Sequence, residues 1–129
     1  MTPELTALGL AGLLQYAQYA LFSVLANLQV GPRAALGPRD TPVMLTGRAG
    51  RAQRAMNNHF EGLILFTIAV VVTHLGPGTS GTTTALAWTY LIARILYVPA
   101  YYFGLTPWRS VIWALGWTAT LAMLILAVI

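Results

Sequence analysis

The sequence predicts an all-α membrane protein, a four-transmembrane-helix bundle forming a single domain over residues 1–129. Composition is the first ground: 57% of the residues are hydrophobic and 8% charged, against about 25% charged in a soluble domain, too few to make a water-facing surface. Segmentation is the second. A hydrocarbon core about 30 Å thick takes roughly 20 apolar residues per helix, so this length holds four spans, short loops and no separate soluble domain.

The first helix is expected over residues 5–28. Leu5 to Leu28 carries no charge; it is too long for the apolar part of a signal peptide and follows Glu4 rather than a basic segment, so it reads as a retained membrane helix. Residues 29–47 break the pattern with Gly31-Pro32, Gly37-Pro38, Pro42 and Gly47, and Arg33, Arg39 and Asp40 need water, which makes this the longest loop. A second helix is expected over 48–75. It begins polar, turns apolar from Leu63 to Leu75 and stops at Gly76-Pro77-Gly78.

The third helix is expected over 83–105, with Arg94 as its one charge and Pro99 inside it, where proline kinks a helix and frees a carbonyl. Thr106-Pro107 reads as an N-cap followed by proline at the first helical position, opening a fourth helix over 107–129. The arginines gather between helices one and two and at Arg109, on one side, while residues 76–82 have none. That side is expected to face the cytoplasm, with both termini opposite, so the net charge of +4 reports orientation and not nucleic-acid binding.

The absence of cysteine excludes disulfides, thiolate metal sites and cysteine nucleophiles, so any reactive sulfur must arrive with a ligand. His59 and His74 have no partner at metal-ligand spacing, and no metal is expected. Phosphate loops, nucleophile elbows and dinucleotide fingerprints are also missing. All seven basic residues are arginine, which fits both the codon usage of a GC-rich genome and bidentate carboxylate binding.

On the second helix Arg51, Arg54, Asn58 and Glu61 recur at spacings of three, four and three, and on the third Tyr90, Arg94, Tyr97 and Tyr101 form another polar stripe. Glu61 and Arg94 fall at matching depths, about 15 Å in from the arginine-rich side. A charge there costs several kcal/mol unless paired, so the two are expected to pair. Such a pair alone could simply pin the two helices. Above it converge Arg51, Arg54, Asn58, Tyr97, Tyr101 and Arg109, rich in donors and short of anions, which points to an anionic ligand. For Arg51 and Arg54 alone, lipid headgroups serve equally well, and Tyr101 and Arg109 also suit interfacial anchors. The four tryptophans read as lipid-facing or packing residues. Ala114, Thr118 and Ala122, spaced by four, read as a small-residue seam for close helix contact, including contact between subunits.

The segment Arg51-Ala52-Gln53-Arg54-Ala55-Met56-Asn57-Asn58-His59-Phe60-Glu61 resembles the second-helix signature of the MAPEG family, membrane-associated proteins in eicosanoid and glutathione metabolism. The resemblance continues through Gly76-Pro77, Ala93-Arg94, Tyr97, Tyr101 and Pro107-Trp108-Arg109-Ser110, covering residues 48–129, while the first helix matches in character only. It looks closest to small bacterial members and implies a homotrimer in an inner membrane, with glutathione as co-substrate between neighbouring subunits near the cytoplasmic face. Carried over by residue, it implies that Arg51, Arg54, Asn58, Glu61, Arg94, Tyr97 and Tyr101 hold glutathione. It also implies that Arg109, with Ser110 beside it, stabilises the thiolate. A guanidinium and a helix N-terminus both favour the charged sulfur.

The function so implied is that of a membrane transferase or peroxidase, whose glutathione attacks a lipophilic electrophile or hydroperoxide arriving from the lipid. Two other classes are kept beside it. One is a non-catalytic membrane subunit that binds lipid or a larger complex through the arginines. The other is a small proton-coupled exporter, in which the membrane glutamate must be free to exchange protons, so an Arg94 partner argues against it.

Overall fold

The computed structural model describes residues 1–38, 40 and 44–129. Among the described residues every regular element is a helix: α1 (Pro3–Val30), α2 (Pro32–Leu36), α3 (Gly47–Leu75), α4 (Gly81–Tyr102) and α5 (Trp108–Val128). The four long helices start and stop within three residues of the expected limits. The short α2 was not expected in the loop after α1, and of the loop residues singled out above, Arg39 and Pro42 lie outside the described residues.

Three helices, α1, α3 and α5, are long and apolar enough to cross a membrane. Their outward faces are apolar as well: Leu13, Leu28, Ile64, Ile68, Leu115 and Ile125 are all exposed, which is stable against lipid and not against water. The chain is an integral membrane protein. The remaining long helix, α4, falls short of that apolarity because its 22 residues include Thr82, Thr83, Thr84, Tyr90, Arg94, Tyr97, Tyr101 and Tyr102.

The helices α3 and α4 form the central pair, with α1 packed on both from one side and α5 on both from the other. Small side chains set these approaches. Ala7, Ala11, Ala69, Ala87 and Ala119 are buried around Phe66, Tyr90 and Met123, and side chains this small let the backbones come close. Phe66 of α3 stacks on Tyr90 of α4 with ring centroids 3.8 Å apart.

At the arginine-rich end, Gln29 closes the loop between α1 and α3: its Nε2 donates to Thr46 O at 3.0 Å and its Oε1 accepts from Thr46 N–H at 2.9 Å. The turn from α4 to α5 runs through Gly104 at φ 66, a left-handed conformation that suits glycine. The expected Thr106 cap is absent. Pro107 holds the N-cap position and α5 begins at Trp108 with no side-chain cap. The turn itself supplies the acceptors, since Arg109 N–H donates to Leu105 O at 3.1 Å and Ser110 N–H to Pro107 O at 3.0 Å.

The opposite end is fastened by Glu4, whose anchoring role the sequence does not show. Glu4 is buried in the first turn of α1, and its Oε1 accepts from Thr83 Oγ1 at 2.6 Å and Thr84 Oγ1 at 3.0 Å. Ser80 and Thr83 also form a reciprocal capping box at the start of α4. Replacing Glu4 by alanine takes the carboxylate from both hydroxyls, leaving Thr83 Oγ1 with Ser80 O at 3.0 Å, and is expected to cost about 2 kcal/mol. The check is thermal unfolding in detergent, in which Glu4→Gln, keeping an acceptor, should fall less; an unchanged midpoint for Glu4→Ala removes the anchor.

Candidate functional site

The two polar stripes meet where the first turns of α3 lie against the last turns of α4. Arg94 is 3% exposed, and its Nη2 donates to Asn58 Oδ1 at 3.0 Å. Its guanidinium carbon lies 4.5 Å from the centroid of the Tyr97 ring, close enough for a cation–π contact. Tyr97 is buried, and the Tyr101 ring follows one turn later at 5.6 Å, tilted. Arg54 reaches the same ring from α3, donating from Nε to Tyr101 Oη at 3.1 Å. Arg109 approaches from the first turn of α5, 4.7 Å from the Tyr101 centroid. Farther out, Arg51 Nη1 lies 3.4 Å from Tyr102 O.

These contacts enclose an open polar pocket of about 260 Å³ lined by Asn58, Tyr97, Tyr101, Arg109, Ser110 and Trp113. Beneath it, between α3, α4 and α5, runs a more enclosed groove of about 230 Å³. Its walls are largely apolar, with Leu65, Trp117, Leu121 and Leu124 among them, and Trp113 is a wall of both spaces. One side chain thus separates a donor-rich site from an apolar one. Trp113 and Trp117 stack along this wall with centroids 6.3 Å apart.

The structure brings Asn58, Tyr97, Tyr101, Arg109 and Ser110 into one pocket, with Arg94 holding Asn58 behind it and Arg54 and Arg51 toward the rim. Glu61 is not among them. The expected Glu61–Arg94 pair does not form: Arg94 is buried against Asn58, whereas Glu61 is exposed on the outer face of α3 beside Phe60, Ile64 and Leu65. The reason is angular, since three residues advance a helix about 300°, leaving Glu61 about 60° around from Asn58.

A second expectation also changes. The α5 N-terminus offers few free amides, because those of Arg109, Ser110 and Val111 already donate to Leu105 and Pro107 carbonyls. Any anion there depends on the Arg109 guanidinium and the Ser110 hydroxyl.

Sequence reasoning missed Trp113 as a lining residue, though it lies four residues after Arg109 and so on the same helix face. It also missed the buried set Gln15, Gln18 and His59, where α1 meets α3. No group of His, Cys, Asp and Glu among the described residues could hold a metal.

No curated protein matches the chain. The model of the MAPEG family matches residues 4–129, extending the likeness across α1, where the motifs had carried it over residues 48–129. With that match running from the first turn of α1 to the last residue, the chain belongs to the MAPEG family.

Proposed function

We propose that the protein is a glutathione-dependent membrane transferase or peroxidase that takes glutathione in the pocket between Asn58 and Arg109. The observation supporting this reading is the donor-rich pocket set against an apolar groove, with Trp113 between them. Glutathione supplies the nucleophilic sulfur that a cysteine-free chain lacks. Arg51 and Arg54 offer its carboxylates bidentate partners, and Glu61, on the outer face of α3, offers its ammonium a counter-charge across a boundary between subunits. Asn58, held by Arg94, and the Tyr97 and Tyr101 hydroxyls provide polar contacts along the tripeptide. Arg109 favours the thiolate, which is the reactive form, with Ser110 as a second donor. The groove would admit a lipophilic electrophile or hydroperoxide from the membrane.

In this reading α4 is the fourth span. Its 22 residues reach about 33 Å, and its packing against α1, α3 and α5 buries Thr83, Tyr90, Arg94 and Tyr97. Glu61, exposed at membrane depth, is a carboxylate that lipid cannot solvate. Covering it with a second copy supports a homotrimer with glutathione between subunits, and the exposed Ala114 and Thr118 of α5 suit close contact. The arginine-rich end then faces the cytoplasm of a bacterial inner membrane, with both termini opposite.

Calorimetry in detergent tests the reading. The wild type is expected to bind glutathione, and Arg54→Ala to weaken binding about tenfold, the loss of one charge-assisted contact. A wild type that gives no binding heat ends it. The exporter reading gains one point from the structure, because Glu61 has no Arg94 partner within the chain. Proton release from Glu61 on adding a lipophilic cation, with no glutathione binding, would favour it.

A further inference from the structure

Below the pocket, a seam of buried polar groups crosses the bundle, and apart from Arg94 the proposed chemistry does not use it. Gln15 and Gln18 lie one turn apart on the buried face of α1, and both reach His59 of α3, which is completely buried. Gln15 Oε1 is 2.7 Å from His59 Nδ1, and Gln18 Nε2 is 3.0 Å from the same atom. One ring nitrogen cannot accept from one amide while donating to another. The shorter contact is to an oxygen, which fits Nδ1–H donating to Gln15. The Gln18 amide then turns its oxygen to the ring, since its two ends interchange by a half rotation. In that tautomer His59 Nε2 carries a lone pair.

On the facing helix α4 stand Tyr90 and Arg94. The Tyr90 ring stacks on Phe66, and its hydroxyl reaches α3 at Gly62, 3.4 Å from where a Cβ would lie. Gly62 is one turn after His59, so the missing side chain leaves the hydroxyl room beside that turn. Arg94 commits Nη2 to Asn58, the residue before His59, and its charge lies within electrostatic reach of the ring. Yet His59 Nε2, Tyr90 Oη and Arg94 Nε are all buried without a partner among the described residues, as is the end of the Gln18 amide that points away from the ring. Two donors and one lone pair on adjoining turns of facing helices are costly to leave unpaired, and roughly three such groups are what a buried water satisfies.

We infer that a water molecule is bound among His59 Nε2, Tyr90 Oη and Arg94 Nε. It accepts from the arginine N–H and the tyrosine O–H and donates to the imidazole. The water makes the polar seam continuous from Gln15 and Gln18, through His59, to the guanidinium that holds Asn58 at the pocket.

Magnetic resonance on the full chain, with isotope-labelled histidine and arginine, tests this without any glutathione. The chain has two histidines, and His74 is exposed, so His74→Gln leaves one ring to observe. The expected spectrum is a neutral ring protonated at Nδ1, with a hydrogen-bonded Nε2 and magnetisation transfer from water. Tyr90→Phe, which removes one hydroxyl and no packing volume, should weaken that transfer and shift the slowly exchanging Arg94 Nε–H signal. His59→Phe should shift it further. An Nε2–H tautomer, a ring without water transfer, or an Arg94 signal unmoved by both substitutions overturns the inference.

Discussion

Arg109→Ala is expected to lower kcat/KM for glutathione-dependent turnover by about 10²–10³, the loss typical of removing one donor aimed at developing or resting negative charge. The size follows from what remains. Arg94 is committed to Asn58 and Arg54 to the Tyr101 hydroxyl, while the amides at the start of α5 already donate to Leu105 and Pro107. Among the described residues no other guanidinium lines the pocket. A unit charge about 4 Å from the sulfur, at an effective dielectric near 20, is worth about 4 kcal/mol, enough for the larger end of that range. Glutathione affinity should change less than turnover, because Arg51, Arg54 and Asn58 remain to hold the rest of the tripeptide. The measurement is steady-state kinetics with a lipophilic electrophile beside the ultraviolet absorbance of bound thiolate against pH. The thiol should titrate at higher pH in the variant, and Arg109→Lys should recover part of the loss. Full turnover with an unshifted titration would show that Arg109 does not face the sulfur.

Much of this site could be read from spacing. The 3–4–3 pattern on α3 and the stripe on α4 bring Asn58, Tyr97 and Tyr101 together by spacing alone, and apolar runs, two of them ending at Gly-Pro, place the four long helices. Spacing failed at Arg94 because it assigns a face and not an angle. Asn58 and Glu61 share a stripe, but about 60° of rotation decides which meets α4 and which meets the exterior. The polar contacts of α1 were hidden for another reason. Glu4, Gln15 and Gln18 sit in an otherwise apolar run, and hydropathy averages them away. Their positions nonetheless form one ridge with Ala7, Ala11 and Ala26, all buried, and that three-and-four spacing of small and polar residues was the available signal. The groove was out of reach because Trp113 belongs to it through the packing of α5 on α4, which no linear pattern states.

The second large effect separates the expected partner of Arg94 from the observed one. Asn58→Leu is expected to destabilise the folded chain by about 3 kcal/mol, whereas Glu61→Gln should change the stability of a single chain by less than about 0.5 kcal/mol. Arg94 is 3% exposed, and among the described residues Asn58 is the one side chain to which it donates. Without that amide the guanidinium keeps, among the described residues, the face of Tyr97 at 4.5 Å, a contact worth about 2 kcal/mol when desolvated, against several kcal/mol for a buried charge left without its partner. Leucine keeps asparagine's branched shape of four side-chain heavy atoms and is the larger of the two, so the loss does not report a cavity. Adding Arg94→Met to Asn58→Leu should then recover most of the stability, because an apolar pair in place of a buried polar one is often neutral. Thermal unfolding in detergent, with association state followed in parallel, reads all four proteins. The result that sinks this account is a sensitive Glu61→Gln with a silent Asn58→Leu, which would return Arg94 to the carboxylate.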